Sequence, residues 1–250
     1  MSDYALAARG LNKSFGSLVV AADVELNLPA GVRYALIGPN GAGKTTLINL
    51  ITGMLRPDAG RILLGDKDIT AAPPDDRVRL GLVRTFQINS LFPHLTALES
   101  VMLAVCERGR VAQSWWRPLT AYRHEADEAY DILESLTLAA VCHRLTRELP
   151  YGQQRLLEIA LALATKPKVL LLDEPAAGVP REESRDLFGA IAGLSSDITV
   201  LFIEHDMDLV FRFASRVIVM VGGRVLVEGT PAEIASDPRV RAVYLGKARQ

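Results

Sequence analysis

The sequence predicts an α/β protein with a parallel core sheet, an N-terminal antiparallel β part and a helical segment inserted into the core. Three observations carry that expectation. An aliphatic stretch, Val32–Ile37, runs into a glycine-rich loop and then a helix; a second, Val169–Leu172, ends in Asp173-Glu174; and strand–helix alternation resumes only after a helical middle.

Taken in order, Ala5–Leu11 and Val19–Leu28 read as strands, followed by Val32–Ile37, Arg61–Leu64 and Leu80–Phe86. Thr46–Met54 reads as a helix with Gly53 near its end. Thr96–Val105 opens with a capping-box pattern, Thr96 followed three residues later by Glu99. Tyr122, Ala126, Ala129, Leu133 and Leu136 recur at helical spacing and give Tyr122–Leu136 one apolar face. Arg108–Thr120, with Trp115, Trp116 and Pro118, reads as the connection between those helices. The alternation then continues: a helix over Gly152–Ala164, strand Val169–Leu172, helix Glu182–Leu194, strand Ile198–Ile203 and helix Asp208–Ala214. Val217–Val221 and Arg224–Glu228, joined through Gly222-Gly223, read as a hairpin, and short helical pieces at Glu233–Ala235 and Asp237–Leu245 follow. This places a core at about 1–87 and 166–250 and a helical insert at about 88–165.

The loop Gly38-Pro39-Asn40-Gly41-Ala42-Gly43-Lys44-Thr45-Thr46 fits G-x-x-x-x-G-K-[ST], a pattern whose backbone N–H groups turn toward phosphate oxygens. Between a strand and a helix, it sets a triphosphate at a helix N-terminus, where orphan donors and the helix dipole both favour an anion. Lys44 then reaches the β- and γ-phosphates as a point charge, and the Thr45 hydroxyl is placed to ligate Mg²⁺. Val169–Glu174 is four aliphatics followed by two carboxylates, as expected of a central parallel strand with its polar end at the ligand edge. Paired with the loop, Asp173 becomes the metal carboxylate and Glu174 the general base for water. Ile203-Glu204-His205-Asp206 ends the next strand in the same way, so His205 either meets the γ-phosphate or is a surface residue capping the Asp208 helix. Gln87, opening the insert, is a candidate contact for metal or water.

Composition bounds the alternatives. The chain has 250 residues, 49% hydrophobic and 23% charged, enough apolar material for a sizeable core. The formal net charge of −1 gives nothing that points to nucleic acid. Cys106 and Cys142 form no C-x-x-C pair and read as inert, reduced thiols. No basic-plus-apolar signal opens the chain, and no apolar run reaches the roughly 18 residues of a membrane span. The expectation is a soluble protein whose membrane spans, if any are needed, come from another chain.

The order of these motifs resembles the ATP-binding subunit of ABC transporters along essentially the whole chain. The resemblance implies a P-loop NTPase fold of the ABC type, with ATP and Mg²⁺ as ligands. It makes Phe15 an aromatic that stacks on adenine, Gly38–Thr46 the Walker A loop, Gln87 the Q-loop glutamine and Leu149–Gln153 the signature. Val169–Glu174 becomes the Walker B strand with the catalytic glutamate, Ala176–Pro180 the D-loop and His205 the switch histidine. Catalytic work then falls to Glu174, His205, Lys44 and Gln87, metal contacts to Thr45, Gln87 and Asp173, and contacts in trans to Tyr151, Gly152 and Gln153. Two positions depart from the family pattern: the signature serine is Pro150, and the usual D-loop aspartate is Pro180. The segments YGQQRLLEIALAL and DEPAAGV, the long helical insert and Ala242-Val243-Tyr244-Leu245-Gly246 are similar to the importer group for branched-chain amino acids and related polar solutes.

That resemblance implies two ATP-binding subunits facing head to tail, two integral membrane permease subunits, a periplasmic or extracellular solute-binding protein engaged indirectly, and a peripheral place at the cytoplasmic membrane face. The alternatives are a soluble ABC ATPase of DNA repair or translation, and a nucleotide-binding regulatory module without turnover.

Overall fold

A computed structural model describes residues 4–85, 91–109 and 122–245, in two compact units. The first unit takes residues 1–84, 168–174 and 195–250; the second takes 85–167 and 175–194. Gln87 and Phe86, together with Trp115, Trp116 and Gly246, lie outside the described residues.

The first unit contains two sheets. Strands β1 (Tyr4–Phe15), β2 (Leu18–Pro29), β4 (Ala59–Leu64) and β5 (Lys67–Asp68) form an antiparallel sheet in the order β2-β1-β4-β5. β1 runs four residues past its expected end at Leu11, because register shifts beyond Ala8 let the polar Asn12–Ser14 stretch stay paired. The other sheet contains β3 (Arg33–Ile37), β6 (Leu82–Arg84), β7 (Val169–Asp173), β8 (Thr199–Ile203), β9 (Arg216–Val221) and β10 (Arg224–Gly229), in the order β10-β9-β3-β8-β7-β6. All its pairings are parallel except the β9–β10 hairpin. β3, β7 and β8 bury essentially every residue, which is why they read as continuous aliphatic runs rather than alternating ones.

Helix α1 (Lys44–Thr52) shares one buried cluster with both sheets: Leu47, Ile48, Leu50 and Ile51 belong with Leu6 and Leu11 of β1, Leu26 of β2 and Ile62 of β4, and with Leu36, Leu171 and Leu201 of the parallel strands. Gly53, left-handed at φ 80°, closes the helix by donating to the Leu50 carbonyl.

Helix α2 (Pro74–Arg79) and the short β5 were not read from sequence. α2 has Pro74 at its first turn, Asp75 and Asp76 beside its N-terminus and Arg77 and Arg79 in its last turn, a charge order matched to the helix dipole. Its Arg77, only 1% exposed, spends its guanidinium on carbonyls: Nη1 donates to Leu50 and Ile51, Nε to Ala72 and Nη2 to Thr70. Burial lowers its pKa from the ordinary arginine value. The cation sits against the C-terminal carbonyls of α1, the end where the helix dipole is negative.

The second unit is helical: α3 (Ala97–Arg108), α4 (Arg123–Ser135), α5 (Tyr151–Leu163) and α6 (Arg181–Ala192). The Thr96–Glu99 capping box forms in both directions, as the sequence indicates. Ala129 and Leu133 are the buried face of α4, and α3 packs on it. Arg108 joins the segments by donating to the Ala164 carbonyl and to Glu128 Oε2 at 2.7 Å. The expected core–insert boundaries assign α6 to the core, whereas its contacts place it with the helical unit, where it packs on α5. Chain order alone carries no signal for that. Helices α7 (Met207–Phe213), α8 (Pro231–Ser236) and α9 (Pro238–Leu245) belong to the first unit. Among the described residues no helix is long and apolar enough to cross a membrane.

Replacing Arg77 by Leu leaves four buried carbonyl contacts without their donor. The variant is expected to lose about 2–4 kcal/mol in urea denaturation; a loss under about 0.5 kcal/mol contradicts the assignment.

Candidate functional site

Sheet register brings the predicted residues together. Leu36 of β3 pairs with Ile203 of β8, and Ile203 pairs with Asp173 of β7, so the three strands end level with one another. The Gly38–Thr46 loop leaves β3, Glu174 follows β7 and His205 follows β8, all at the carboxyl edge where parallel sheets bind ligands.

The loop folds on its own backbone. Ala42 N–H donates to Pro39 at 3.1 Å, and Gly223 N–H of the β9–β10 turn donates to Ala42 at 2.9 Å. Gly43 caps α1 at φ 98°, a conformation costly to side-chain-bearing residues, and a Cβ there would stand 2.5 Å from the Val20 carbonyl of β2. α1 has no side-chain cap and no acidic residue in its first turn, so its leading N–H groups meet no carboxylate of their own helix. Lys44, 7% exposed, folds back to donate to the Gly38 carbonyl at 2.7 Å and the Pro39 carbonyl at 3.2 Å. Burial lowers its pKa, and the charges of Glu174 and Asp173 oppose that shift, so all three groups share one field. Thr45 is exposed beside it.

Asp173 closes β7 with its side chain 8% exposed, and its Oδ2 accepts from Arg84 Nη2 at 2.6 Å. Arg84 Nη1 donates to Asn49 Oδ1 of α1 at 2.7 Å. Glu174 sits at φ 49°, a left-handed conformation that costs a non-glycine residue about 1–3 kcal/mol. Its N–H donates to Ile203 O at 3.0 Å, and its Oε1 lies 2.8 Å from His205 Nε2. The α7 cap is Asp206, which accepts from Asp208 and Leu209, so His205 is not the helix cap; it faces Glu174.

Phe15 closes the β1–β2 hairpin, opposite Leu18 and 50% exposed, with Lys13 Nζ 5.6 Å from its ring centre. An exposed aromatic on the strand pair that abuts Gly43 is available to a planar base.

In the helical unit, Tyr151 opens α5 after Pro150, which supplies no capping side chain. Gly152 N–H donates to Glu183 Oε2 of α6 at 3.2 Å, and a Cβ on Gly152 would collide with that carboxylate. Arg155 donates to the Tyr151 hydroxyl at 2.6 Å and to Glu158 at 2.8 Å. The Gln153 side-chain oxygen Oε1 is buried and meets no donor among the described residues. The expected open anion-binding end of α5 is thus met by a carboxylate of its own chain. Pro180 caps α6 without a side-chain bond.

Sequence reasoning missed Arg84, Asn49 and Glu183, and also Tyr244 of α9, whose phenol pKa is raised by burial while the Gly38 backbone pulls it the other way. An arginine within the otherwise apolar strand Leu80–Phe86 was the available signal, since it demands a buried acceptor.

As for metal, no cluster of three or more His, Cys, Asp or Glu exists among the described residues. One carboxylate and one hydroxyl, Asp173 and Thr45, instead suit Mg²⁺, which prefers hard oxygens, keeps several waters and draws on substrate phosphates.

A glycine-cradled lysine beside a strand-end carboxylate pair defines a P-loop nucleotide-binding protein. The ABC transporter family matches residues 21–177, so the chain belongs to the ABC transporter family of ATPases. The branched-chain amino acid ATP-binding cassette transporter family matches residues 224–249, which narrows the membership. The chain is 40% identical over 255 residues to the high-affinity branched-chain amino acid transport ATP-binding protein LivG of Salmonella typhimurium, covering 99% of this chain and all of that one. Identity to the corresponding protein BraF of Pseudomonas aeruginosa is also 40%, over 257 residues with coverages of 99% and 100%. A crystal structure of the ADP conformation of an ATP-binding cassette of an ABC transporter superposes with a TM-score of 0.82 at 33% identity, covering 98% of this chain and 99% of that one.

Gly43→Ala places a methyl against the Val20 carbonyl. It is expected to weaken ATP binding about 5- to 150-fold in a fluorescent-nucleotide titration, from strain of about 1–3 kcal/mol at the loop; unchanged affinity contradicts the loop geometry.

Proposed function

We propose that this chain is the ATP-hydrolysing subunit of a membrane importer for branched-chain amino acids or related small polar solutes. The observation that carries the reading is similarity over the full chain, including residues 224–249, to ATP-binding proteins of branched-chain amino acid transport. A soluble repair or translation ATPase and a regulatory module without turnover are not favoured by that similarity.

In this reading two ATP-binding subunits, identical or paralogous, work at the cytoplasmic face of the membrane on two permease subunits, with a solute-binding protein engaged through the permeases. Phe15 stacks on adenine. The Gly38–Thr46 amides and Lys44 hold the phosphates; Lys44 has three N–H protons and uses two on loop carbonyls, which leaves a donor in hand. Thr45 and Asp173 would hold Mg²⁺, with Gln87 toward it or the water; when bound, the ion would neutralise phosphate charge. Glu174 accepts the proton of the attacking water. His205, 2.8 Å from the Glu174 carboxylate, keeps that group aimed and touches the γ-phosphate. Tyr151, Gly152 and Gln153 address the nucleotide of the partner subunit, so Gly152 N–H must exchange Glu183 for a phosphate oxygen when the pair closes. Pro150 leaves that contact one hydroxyl short of the family pattern. ATP favours closure because it meets both subunits only there, and hydrolysis removes those contacts.

Glu174→Gln is expected to cut phosphate release by about 10²–10⁴-fold while ATP binding persists and ATP-dependent pairing accumulates on gel filtration; equal turnover removes Glu174 from its role. Lys44→Ala is expected to weaken ATP affinity about 10–100-fold, the loss of one or two charge-assisted bonds. Affinity purification of the tagged chain from membranes is expected to bring integral membrane proteins with it. Recovery of ribosomes or DNA in their place contradicts the importer assignment.

A further inference from the structure

Arg84 occupies a position that the chemistry above does not use. It lies on β6, the edge strand, in register with Leu171 of β7. Side chains two apart on a strand share a face, so Arg84 stands on the same face as Asp173 and one step short of it. Its guanidinium spans two acceptors on different elements, Asp173 Oδ2 at 2.6 Å and Asn49 Oδ1 at 2.7 Å, with the Arg84 and Asp173 side chains only 13% and 8% exposed. Asn49 sits in α1, whose first residues are Lys44 and Thr45.

We propose that Arg84 is a positioning residue for the divalent cation: its fork ties the Asp173 carboxylate to the phosphate-binding helix, fixing the separation between Asp173 and Thr45. This rests on the reading of Asp173 and Thr45 as the metal-holding groups. A planar guanidinium holding one carboxylate oxygen on one nitrogen and an amide oxygen on the other fixes direction as well as distance, which an ammonium does not. The guanidinium donates to Oδ2 of Asp173, so Oδ1 is the oxygen offered to a cation. Repulsion between guanidinium and metal does not reverse the effect. Lys44 and Arg84 carry formal charges of +1 each and Asp173 and Glu174 −1 each, a sum of zero, so a bound triphosphate makes the site strongly negative and cation entry remains favourable. Without Arg84, a nearly buried carboxylate loses the donor that holds it in place beside Glu174.

The test uses the full chain with a non-hydrolysable ATP analogue and Mn²⁺, whose binding is read by electron paramagnetic resonance. Arg84→Gln and Asn49→Ala are each expected to weaken Mn²⁺ binding about five- to tenfold, while analogue binding in EDTA stays within about twofold. Combined, they are expected to do no more than Arg84→Gln alone, because both cut one bridge. Arg84→Lys, which keeps the charge but not the fork, is expected to behave like Arg84→Gln. Full retention of Mn²⁺ affinity in Arg84→Lys, additive losses in the double variant, or unchanged affinity in Arg84→Gln each overturns the proposal. Asp173→Asn separates the two readings: if it leaves Mn²⁺ binding intact, the metal role of Asp173 fails, and if only it weakens binding, the bridge alone fails. Should Arg84→Gln not fold by circular dichroism, Asn49→Ala and Arg84→Lys decide the matter by the same criteria.

Discussion

The ammonium of Lys44 rests on the carbonyls of Gly38 and Pro39, above a helix start that carries no carboxylate of its own. That arrangement is electrostatically incomplete: leading amides, the positive end of a helix and a buried cation all face one place. Much of the first unit serves to hold it. Gly43 admits the Val20 carbonyl because it has no Cβ, the β9–β10 turn supplies the amide that fixes Ala42, and Arg77 stabilises the opposite, negative end of the same helix. The parallel strands contribute position rather than chemistry. Because β3, β8 and β7 end level, a lysine, a histidine and two carboxylates from distant parts of the chain meet without any long loop.

The carboxylates introduce a second tension. Asp173 and Glu174 are adjacent in sequence and both act on Lys44, yet they are held apart by different partners, Arg84 for the first and His205 for the second. Glu174 leaves the strand in a left-handed conformation, φ 49°, and its carboxylate meets His205 at 2.8 Å. In the helical unit an anion already stands at the N-terminus of α5, in the form of Glu183 against Gly152. The same amide that the importer reading gives to a phosphate is therefore occupied by a side chain of equal sign, so closure is an exchange of anions and not the filling of an empty site.

Much of this was legible in the sequence because the signals are local. A glycine loop between a strand and a helix, or an aliphatic run ending in Asp-Glu, specifies its own geometry, and the capping box at Thr96 formed as written. What escaped were pairings between distant segments. Arg84 and Asn49 are 35 residues apart and Arg84 and Asp173 are 89 apart, so no window sees them together. The short α2 and β5 lack enough periods to register, and the grouping of α6 with the helical unit depends on packing that chain order does not encode. His205 shows the intermediate case. Its place at a strand end was readable, but only the structure assigns the cap of α7 to Asp206 and leaves the imidazole for Glu174.

The most direct measurement is a crystal structure of the protein with a non-hydrolysable ATP analogue and Mg²⁺. The expected result is a triphosphate seated on the leading amides of α1, with Lys44 Nζ donating to a phosphate oxygen and the metal between Thr45 and Asp173. A triphosphate bound elsewhere, or a Lys44 that donates to no phosphate oxygen while Asp173 faces away from the nucleotide, contradicts the account.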